Sequence, residues 1–253
     1  MSYKGIVSDW NGTPFEHATD EIQNKRIAYA VLDDAKSALK GGKIWRAWDV
    51  VKLLRTKSEL KKRLQQYKDG ERHLWEVYEP FNEGVLRGLP VDFLKGVIDD
   101  YARESAGKVD GRILRPIRAV HEDGKSTGIL SVSFDYSIRR ILEEAGYADV
   151  FDDIVANTLE TDGDKAVGLT LGIYGKKPEV LRAEFFDRRG LRENDTLYLG
   201  DSEDDEPIAE MLDRGGFIVP FFADDEFRER MASKHGAFVP ESEQDLLKYL
   251  QAR

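Results

Sequence analysis

Asp9 lies at the end of a short apolar run, residues 5–7, and is followed by a Gly12-Thr13 pair. Such a run is typical of a buried β-strand, and the glycine predicts a tight turn. A carboxylate directly after a strand can cap a following helix. It can also act as a nucleophile or metal ligand, because open parallel sheets bind ligands beyond the carboxyl ends of their strands. Asp9 alone does not decide between these roles.

Three other groups of residues lie at comparable positions. The apolar run of residues 196–199 leads to Asp201 and then to Asp205. Ser131 lies near the end of another strand candidate, and Lys177 precedes a proline that can open a helix. Each residue alone has an ordinary structural explanation, but the groups occur together at predicted strand ends and a helix start. We therefore expect them to meet at one edge of a sheet.

These side chains together predict phosphoryl chemistry. Carboxylates that share a site repel each other unless a cation lies between them, and Mg²⁺ prefers oxygen ligands. A serine hydroxyl, backbone N–H groups and a lysine ammonium can hold a phosphate against such an ion. Asp9 would then attack phosphorus, as carboxylates do in aspartyl-phosphate chemistry. The expected cofactor is Mg²⁺.

The composition narrows the class of protein. The 253-residue chain has a formal net charge of −10, which argues against nucleic acid or an anionic membrane as its main partner. It contains no cysteine, so a metal site must use oxygen or histidine ligands. The N-terminus lacks the layout of a signal peptide, and no apolar run reaches the ~18–20 residues that span a bilayer. We expect a soluble cytoplasmic protein with no nucleic-acid or membrane partner.

Hydrophobic periodicity divides the chain into zones. Residues of about 19–108 have apolar side chains at helical spacing, whereas residues of about 110–253 alternate short apolar strands with helices. This alternation predicts a parallel sheet with helices on both faces. We therefore predict an α/β fold with a Rossmann-like core of residues 1–15 and 110–253. A helical cap of residues 16–109 is predicted to be inserted after the first strand.

Two finer expectations concern the sheet and the helical zone. Residues 152–160 are predicted to form one core strand, and an Asp-Gly turn within residues 159–171 predicts a hairpin appended to it. The apolar series from Ile44 through Trp48 to Tyr67 is predicted to pack in a core, because aromatic side chains are usually buried. The Lys and Arg cluster of residues 52–63 is predicted to be a solvated helix face.

Four motifs of the chain resemble those of the haloacid dehalogenase (HAD) superfamily. The first family motif, a strand followed by Asp-x-Asp-Gly-Thr, is similar to VSDWNGT, and the second, a strand ending in Ser or Thr, is similar to GILSVSF. The third, a Lys opening a helix, is similar to GKKPEVL, and the fourth, Gly-Asp-x-x-x-Asp, to LYLGDSEDDEPIAEM. The resemblance covers the predicted core. The hairpin and IVANTLE most resemble the branch that includes phosphoserine phosphatase.

The resemblance implies a Mg²⁺-dependent phosphatase that hydrolyses a small phosphorylated metabolite through an aspartyl-phosphate. Asp9 would be the nucleophile and a metal ligand. The backbone carbonyl of Asn11 and the side chain of Asp201 would be further ligands, and Asp205 would support the metal site.

The resemblance also implies how the phosphoryl group is held. Ser131 would bind its oxygens together with the turn residues Gly12 and Thr13. Lys177 would neutralise charge between the nucleophile and the phosphate, with Lys176 as the alternative.

Residue 11 departs from the family's pattern. The family's phosphatases usually carry a second Asp there as general acid and base, whereas Asn11 has no titratable proton. Such proton transfer is typically worth ~10²–10⁴ in rate. Three explanations are open. In the first, the protein hydrolyses phosphates with good leaving groups, such as acyl or aryl phosphates. In the second, another side chain, Glu16 or His17, supplies the proton. In the third, the chain is an engineered or naturally weakened variant.

Two alternative functions follow. A catalytically weakened HAD-fold protein could keep the metal site and act in phosphate binding or interaction. A metal-independent dehalogenase of the same fold has little reason to keep the acids after Asp201. Phosphoserine is also disfavoured as substrate, because an ungapped match places Ala18 where the phosphoserine phosphatases carry a Glu that holds the substrate amine.

Overall fold

The computed structural model describes residues 3–16 and 19–252, which fall into two compact units. The strands are β1 (Gly5–Ser8), β2 (Ser126–Phe134), β3 (Asp153–Asn157), β4 (Leu159–Asp162), β5 (Lys165–Leu169), β6 (Thr196–Leu199) and β7 (Phe217–Ile218). The helices are α1 (Thr19–Lys40), α2 (Ala47–Lys68), α3 (Leu74–Phe81), α4 (Val91–Ser105), α5 (Gly111–Glu122), α6 (Asp135–Glu144), α7 (Lys177–Leu181), α8 (Glu206–Ala209), α9 (Asp225–His235) and α10 (Glu243–Ala252).

The first unit contains a five-stranded sheet in the order β3-β2-β1-β6-β7. β1 pairs in parallel with β2 and with β6, so that Gly5 lies opposite both Ser126 and Thr196. β6 pairs in parallel with β7. Every residue of β1 and β6 is buried, as expected for parallel strands that are covered on both faces. The predicted α/β fold is confirmed, and the carboxyl ends of β1, β2 and β6 point to one edge.

Helices cover this sheet, and three of them were not predicted from the sequence. α5 packs against α10, and its buried side chains include Ile113, Leu114 and Ile117. The sequence analysis assigned no helix to α5, α9 or α10. Asp110 begins α5 as an N-cap, because its carboxylate accepts a hydrogen bond of 2.8 Å from the backbone N–H of Arg112.

The predicted strand of residues 152–160 is wrong in one respect. β3 ends at Asn157, and β4 begins at Leu159 in a separate two-stranded sheet with β5. β4 and β5 form the predicted antiparallel hairpin, and Gly163 in its turn has a φ of 59°. The change of sheet has no signal in the sequence, because residues 153–162 contain no Gly or Pro to separate the two extended segments.

The hairpin belongs to the second unit, which comprises Asp20–Glu104 and Asn157–Gly175. Ala166 lies in the apolar core of that unit with Ile27, Val31, Phe81 and Leu94. The predicted boundaries at residues 15/16 and 109/110 therefore differ from the contact boundaries of the units, since residues 157–175 had been assigned to the core. The interpretation of the helical unit as a cap stays a prediction.

Backbone hydrogen bonds attach β5 to the segment before α4. Ala166 donates to the carbonyl of Leu89 and accepts from the N–H of Gly88, both at 2.8 Å. The side chain of Asn82 donates to the carbonyl of Leu169 at 2.8 Å and accepts from its N–H at 3.0 Å. Asn82, which directly follows α3, thereby extends the hydrogen bonding along the edge of the hairpin.

The core-packing prediction for the apolar series of residues 44–67 is wrong for its exposed members and correct for Leu60. Ile44 is 78% exposed, Trp48 70% and Leu54 64%, whereas Thr56 is the one residue of α2 that is buried. Leu53 and Leu60, on the opposite side of the helix, pack on the core of the second unit. Among the described residues, no helix is both long and apolar enough to cross a bilayer.

The attachment of the hairpin can be tested at Asn82. The substitution Asn82→Ala removes both hydrogen bonds to the backbone of Leu169. We therefore expect the free energy of unfolding to fall by about 1–3 kcal/mol. Hydrogen exchange at the Leu169 amide should accelerate. Urea denaturation and exchange mass spectrometry measure the two effects. Gln65→Ala, an exposed amide on α2, is the matched control. Unchanged protection of the hairpin would contradict its attachment through this side chain.

Candidate active site

The ends of β1 and β6 bring the acids of the first and fourth motifs together. The backbone N–H of Asp9 donates to the carbonyl of Leu199 at 2.8 Å. The segments that follow β1 and β6 therefore begin next to each other. Carboxylate oxygens of Asp9, Asp201 and Asp205 all lie within 4.8 Å of one another. Asp9 is 5% exposed and Asp205 is fully buried.

Lys177 lies between two of these acids. Its Nζ is 3.0 Å from Oδ2 of Asp9 and 2.7 Å from Oδ1 of Asp205. The residue is buried at the start of α7, whereas its neighbour Lys176 is exposed. Of the two lysines that the sequence left open, only Lys177 is therefore engaged with the acids.

Asp205 is held from several sides. The hydroxyl of Tyr198 donates to its Oδ1 at 2.8 Å, and the hydroxyl of Ser202 lies 3.4 Å from its Oδ2. Gly200 packs so closely on Asp205 that any side chain at residue 200 would overlap it. Asp204, which is exposed, is not part of this arrangement.

Burial and neighbouring negative charge disfavour the ionised forms of Asp9 and Asp201. Burial raises the pKa of Asp9 to about 7, a shift that Lys177 opposes and Asp205 reinforces. Burial also raises the pKa of Asp201 to about 8, helped by the charges of Asp9 and Asp205. Burial disfavours the ammonium of Lys177, but Asp205 and Asp9 outweigh it, so the pKa of Lys177 is raised. Lys177 stays protonated at neutral pH.

The donor set fits a hard divalent cation. Oδ1 of Asp9 is buried and has no hydrogen-bond partner among the described residues. One ammonium faces three carboxylates, so full ionisation of the site leaves an excess of negative charge. Oxygen-only donors of this kind suit Mg²⁺. Asp9 and Asp201 are the residues that would hold the ion, with Asp205 behind them.

The turn after β1 approaches Asp201 closely. Gly12 has a φ of 68°, in the left-handed region, and a Cβ at this residue would overlap the carboxylate of Asp201. Thr13 is buried, and its Oγ1 has no hydrogen-bond partner among the described residues. The turn therefore offers a glycine backbone and a hydroxyl at the position where the sequence predicts phosphate binding.

Ser131 and Ser133 lie on β2 beside this turn. Oγ of Ser131 accepts a hydrogen bond of 3.2 Å from the backbone N–H of Ser133. Nδ2 of Asn11 donates to Oγ of Ser133 at 3.0 Å. Asn11 thus bridges β1 and β2 through its amide, a contact that a carboxylate could make only by accepting from the serine hydroxyl.

Two residues of the site were missed by the sequence analysis, namely Ser133 and Tyr198. Ser133 follows Ser131 by two residues on a strand, so the period of two could have placed both on one face. No pattern in the sequence distinguished Tyr198 from the other residues of its strand. Glu16, one candidate for the missing proton donor, is exposed, and His17 and Ala18 lie outside the described residues.

A family comparison identifies the chain from this arrangement of motifs. The model of the haloacid dehalogenase-like hydrolases matches residues 43–210, which is more than half of the sequence. The chain belongs to the haloacid dehalogenase-like hydrolase family. The matched range includes Ser131, Lys177, Asp201 and Asp205, and Asp9 lies before it.

Solved structures confirm the HAD fold. A substrate-bound phosphoserine phosphatase is 16% identical, with a TM-score of 0.60 and 99% of each chain covered. A protein of unknown function from Bordetella pertussis Tohama I is 17% identical, with a TM-score of 0.66, covering 95% of this chain and 99% of that one. Cytosolic 5′-nucleotidase IIIB bound to cytidine is 17% identical, with a TM-score of 0.61, and the match covers 98% of this chain and 86% of that one. A comparison with curated protein sequences gave no match.

Membership of the HAD hydrolases confirms that the chain is an enzyme of this class, and the fold it shares with phosphatases supports phosphoric monoester hydrolysis. The family and the buried acids together support a metal-dependent site.

The raised pKa values predict a linkage between pH, metal and stability. The pKa of an aspartate in the unfolded chain is about 4, whereas in the folded protein the pKa is about 7 for Asp9 and about 8 for Asp201. At pH values between these limits, the folded protein keeps protons on both side chains that the unfolded chain has released. Stability without metal should therefore fall as pH rises through this interval. A divalent cation replaces those protons, so Mg²⁺ should stabilise the protein more at the upper end of the interval.

Thermal melts over this pH range, with Mg²⁺ or with EDTA, measure the effect. Calorimetry in two buffers of different ionisation enthalpy should detect protons released on Mg²⁺ binding near pH 7. Asp201→Asn should weaken both responses, whereas Asp204→Asn, at the exposed neighbouring acid, should leave them unchanged. A stabilisation by Mg²⁺ that is independent of pH would contradict the coupling.

Proposed function

We propose that this HAD hydrolase is a Mg²⁺-dependent phosphatase that acts on a small phosphorylated metabolite through an aspartyl-phosphate on Asp9. The observation that carries the proposal is the buried carboxylate of Asp9, which has one oxygen on Lys177 and the other without a hydrogen-bond partner among the described residues. Such an oxygen can approach a metal ion or a phosphorus atom without breaking an existing contact.

The proposed reaction has two displacements at phosphorus. An oxygen of Asp9 attacks phosphorus, and the bond to the leaving oxygen breaks with its electron pair. Water then attacks phosphorus, the bond to Asp9 breaks, and inorganic phosphate leaves with the carboxylate restored. Bound Mg²⁺ would supply charge neutralisation for the phosphoryl oxygens. Lys177 lowers the repulsion between the nucleophile and the phosphate dianion, and Ser131 with the Gly12-Thr13 turn is proposed to bind its oxygens.

Asn11 limits the choice of substrate in this proposal. Its amide is held on Ser133 and has no proton to transfer, so the leaving oxygen must depart without help from residue 11. An acyl or aryl phosphate tolerates this loss because its leaving group is a stable anion. We therefore propose a substrate with a good leaving group over an alkyl phosphate such as phosphoserine.

A second candidate function rests on the same residue. A HAD-fold protein that binds phosphate but turns it over slowly would keep the acids and Lys177 and lose the proton donor. Asn11 favours this possibility, since the site retains its charged groups and lacks the titratable group at residue 11 alone.

Hydrolysis of p-nitrophenyl phosphate separates the two candidates. We expect turnover with Mg²⁺ that stops with EDTA and that is lost in Asp9→Asn, a substitution of nearly unchanged shape. Asp204→Asn is the matched control and should keep wild-type activity, because that side chain is exposed. Mass spectrometry should find a phosphoryl adduct on the wild type and none on Asp9→Asn. Binding of phosphate without turnover under any divalent metal would favour the second candidate.

A series of aryl phosphates tests the role of Asn11. The rate should fall steeply as the pKa of the leaving phenol rises, since no acid at residue 11 protonates the leaving oxygen. Asn11→Asp should raise the rate on an alkyl phosphate by about 10² or more, and much less on p-nitrophenyl phosphate. A flat dependence on leaving-group pKa in the wild type would instead show that another side chain donates the proton.

A further inference from the structure

Helix α2 has a charge opposite to that of the chain as a whole. The chain carries 38 basic and 48 acidic residues, whereas α2 contains seven Lys or Arg and two acidic residues. Its acids are already engaged, because Asp49 pairs with Arg46 at 2.5 Å and Glu59 pairs with Arg63 at 2.9 Å. The net charge of −10 therefore conceals one strongly basic surface.

The first half of α2 and the residues before it form an exposed apolar patch. We define this patch by the large apolar side chains at Ile44 (78% exposed), Trp45 (65%), Trp48 (70%), Val51 (36%) and Leu54 (64%). The folding of the second unit does not require them, because α2 packs on that unit through its other face. Five large apolar side chains exposed within residues 44–54 are typical of a contact with another body.

The part of α2 from Arg55 onward forms a basic region on the same helix. It consists of Arg55, Lys57, Lys61, Lys62 and Lys68, all of them exposed. None of these side chains forms an ion pair with any residue in the described parts of the chain. Their charge is thus uncompensated, and it follows the exposed tryptophans of the patch along the chain.

We infer that α2 docks this protein on an anionic phospholipid surface. Tryptophan rings favour the headgroup level of a bilayer, and a basic amphipathic helix lies in the interface with its apolar side chains at the acyl boundary. The basic region would contact the headgroups while the apolar patch enters the interface. Exposed tryptophan rings and unpaired basic side chains in one segment suit an anionic, deformable lipid surface, whereas a protein partner would need a matching acidic groove.

The acidic remainder of the chain does not oppose this contact. At physiological ionic strength the Debye length is about 8 Å, so acidic groups farther than this from the headgroups are largely screened. Only the basic residues of α2 and their neighbours act at the surface. The net charge of the whole chain is therefore a poor guide to this partner.

Vesicle binding tests the inference with the full-length protein. We expect association with vesicles of phosphatidylcholine and phosphatidylglycerol, measured by flotation, and little with phosphatidylcholine alone. Binding should weaken as NaCl is added. Tryptophan emission should shift to the blue on binding, with Trp10 contributing no change because it is fully buried. Equal binding to both kinds of vesicle, or none to either, would overturn the inference.

Substitutions in the basic region and in the patch, with one matched control, assign the binding to α2. Each basic residue at an anionic surface contributes about a fivefold increase in partitioning, so Lys61→Gln with Lys62→Gln should weaken binding about 25-fold. Trp48→Ser should reduce the blue shift, and Trp45→Ser with Trp48→Ser should abolish most of it, because both exposed tryptophans belong to the patch. Lys108→Gln with Lys248→Gln removes the same charge at exposed positions outside α2 and should bind as the wild type does.

Measurements in solution separate a lipid contact from self-association. All the substituted side chains are exposed, so the thermal midpoint and the hydrolysis of p-nitrophenyl phosphate should stay at wild-type values. Light scattering should give the same molar mass for the wild type and Trp48→Ser. A wild-type dimer that Trp48→Ser dissociates, without vesicle binding, would overturn the inference and assign the patch to a second copy of the chain.

Discussion

The site depends on one ammonium buried among three carboxylates. Lys177 contacts Asp9 and Asp205 at 3.0 and 2.7 Å, and it is the basic group that the described residues place between them. A buried carboxylate is costly unless it is paired or protonated. One positive charge cannot balance three negative ones, so the folded site must hold protons or a cation. The proposed affinity for a divalent ion would thus be a consequence of how the fold distributes charge.

This charge distribution requires an exact backbone arrangement at the edge of the sheet. β1 lies between β2 and β6, and its parallel register brings Asp9 to the carbonyl that ends β6. Gly12 and Gly200 leave room for the carboxylates of Asp201 and Asp205, which a side chain at either glycine would displace. The strand order therefore does more than bring distant segments together, since it also fixes which backbone atoms the acids can approach.

The sequence predicted the fold and the acids at the sheet edge because both follow from local patterns and one rule of parallel sheets. Apolar runs mark the strands, and the residue after each run lies at the same edge. Prediction from the sequence failed for features that depend on packing between segments distant in the chain. Nothing local to Ala166 indicates that its hairpin joins the helical unit, and the exposed Trp48 has the spacing of a core residue. Tyr198 has the sequence features of an ordinary strand residue, although its hydroxyl donates a hydrogen bond to the carboxylate of Asp205.

Asn11 can be understood from the same balance of charge. Burial and repulsion already raise the pKa values of Asp9 and Asp201 to about 7 and 8. A carboxylate at residue 11, in the same turn, would add negative charge to a site that lacks positive charge. The neutral amide on Ser133 avoids this repulsion and keeps the turn bridged to β2. Stability and proton transfer therefore make opposite demands on residue 11, and such a conflict between stability and activity is common at active sites. In this chain residue 11 meets the demand of stability, which leaves the departing oxygen of the substrate to carry its own charge.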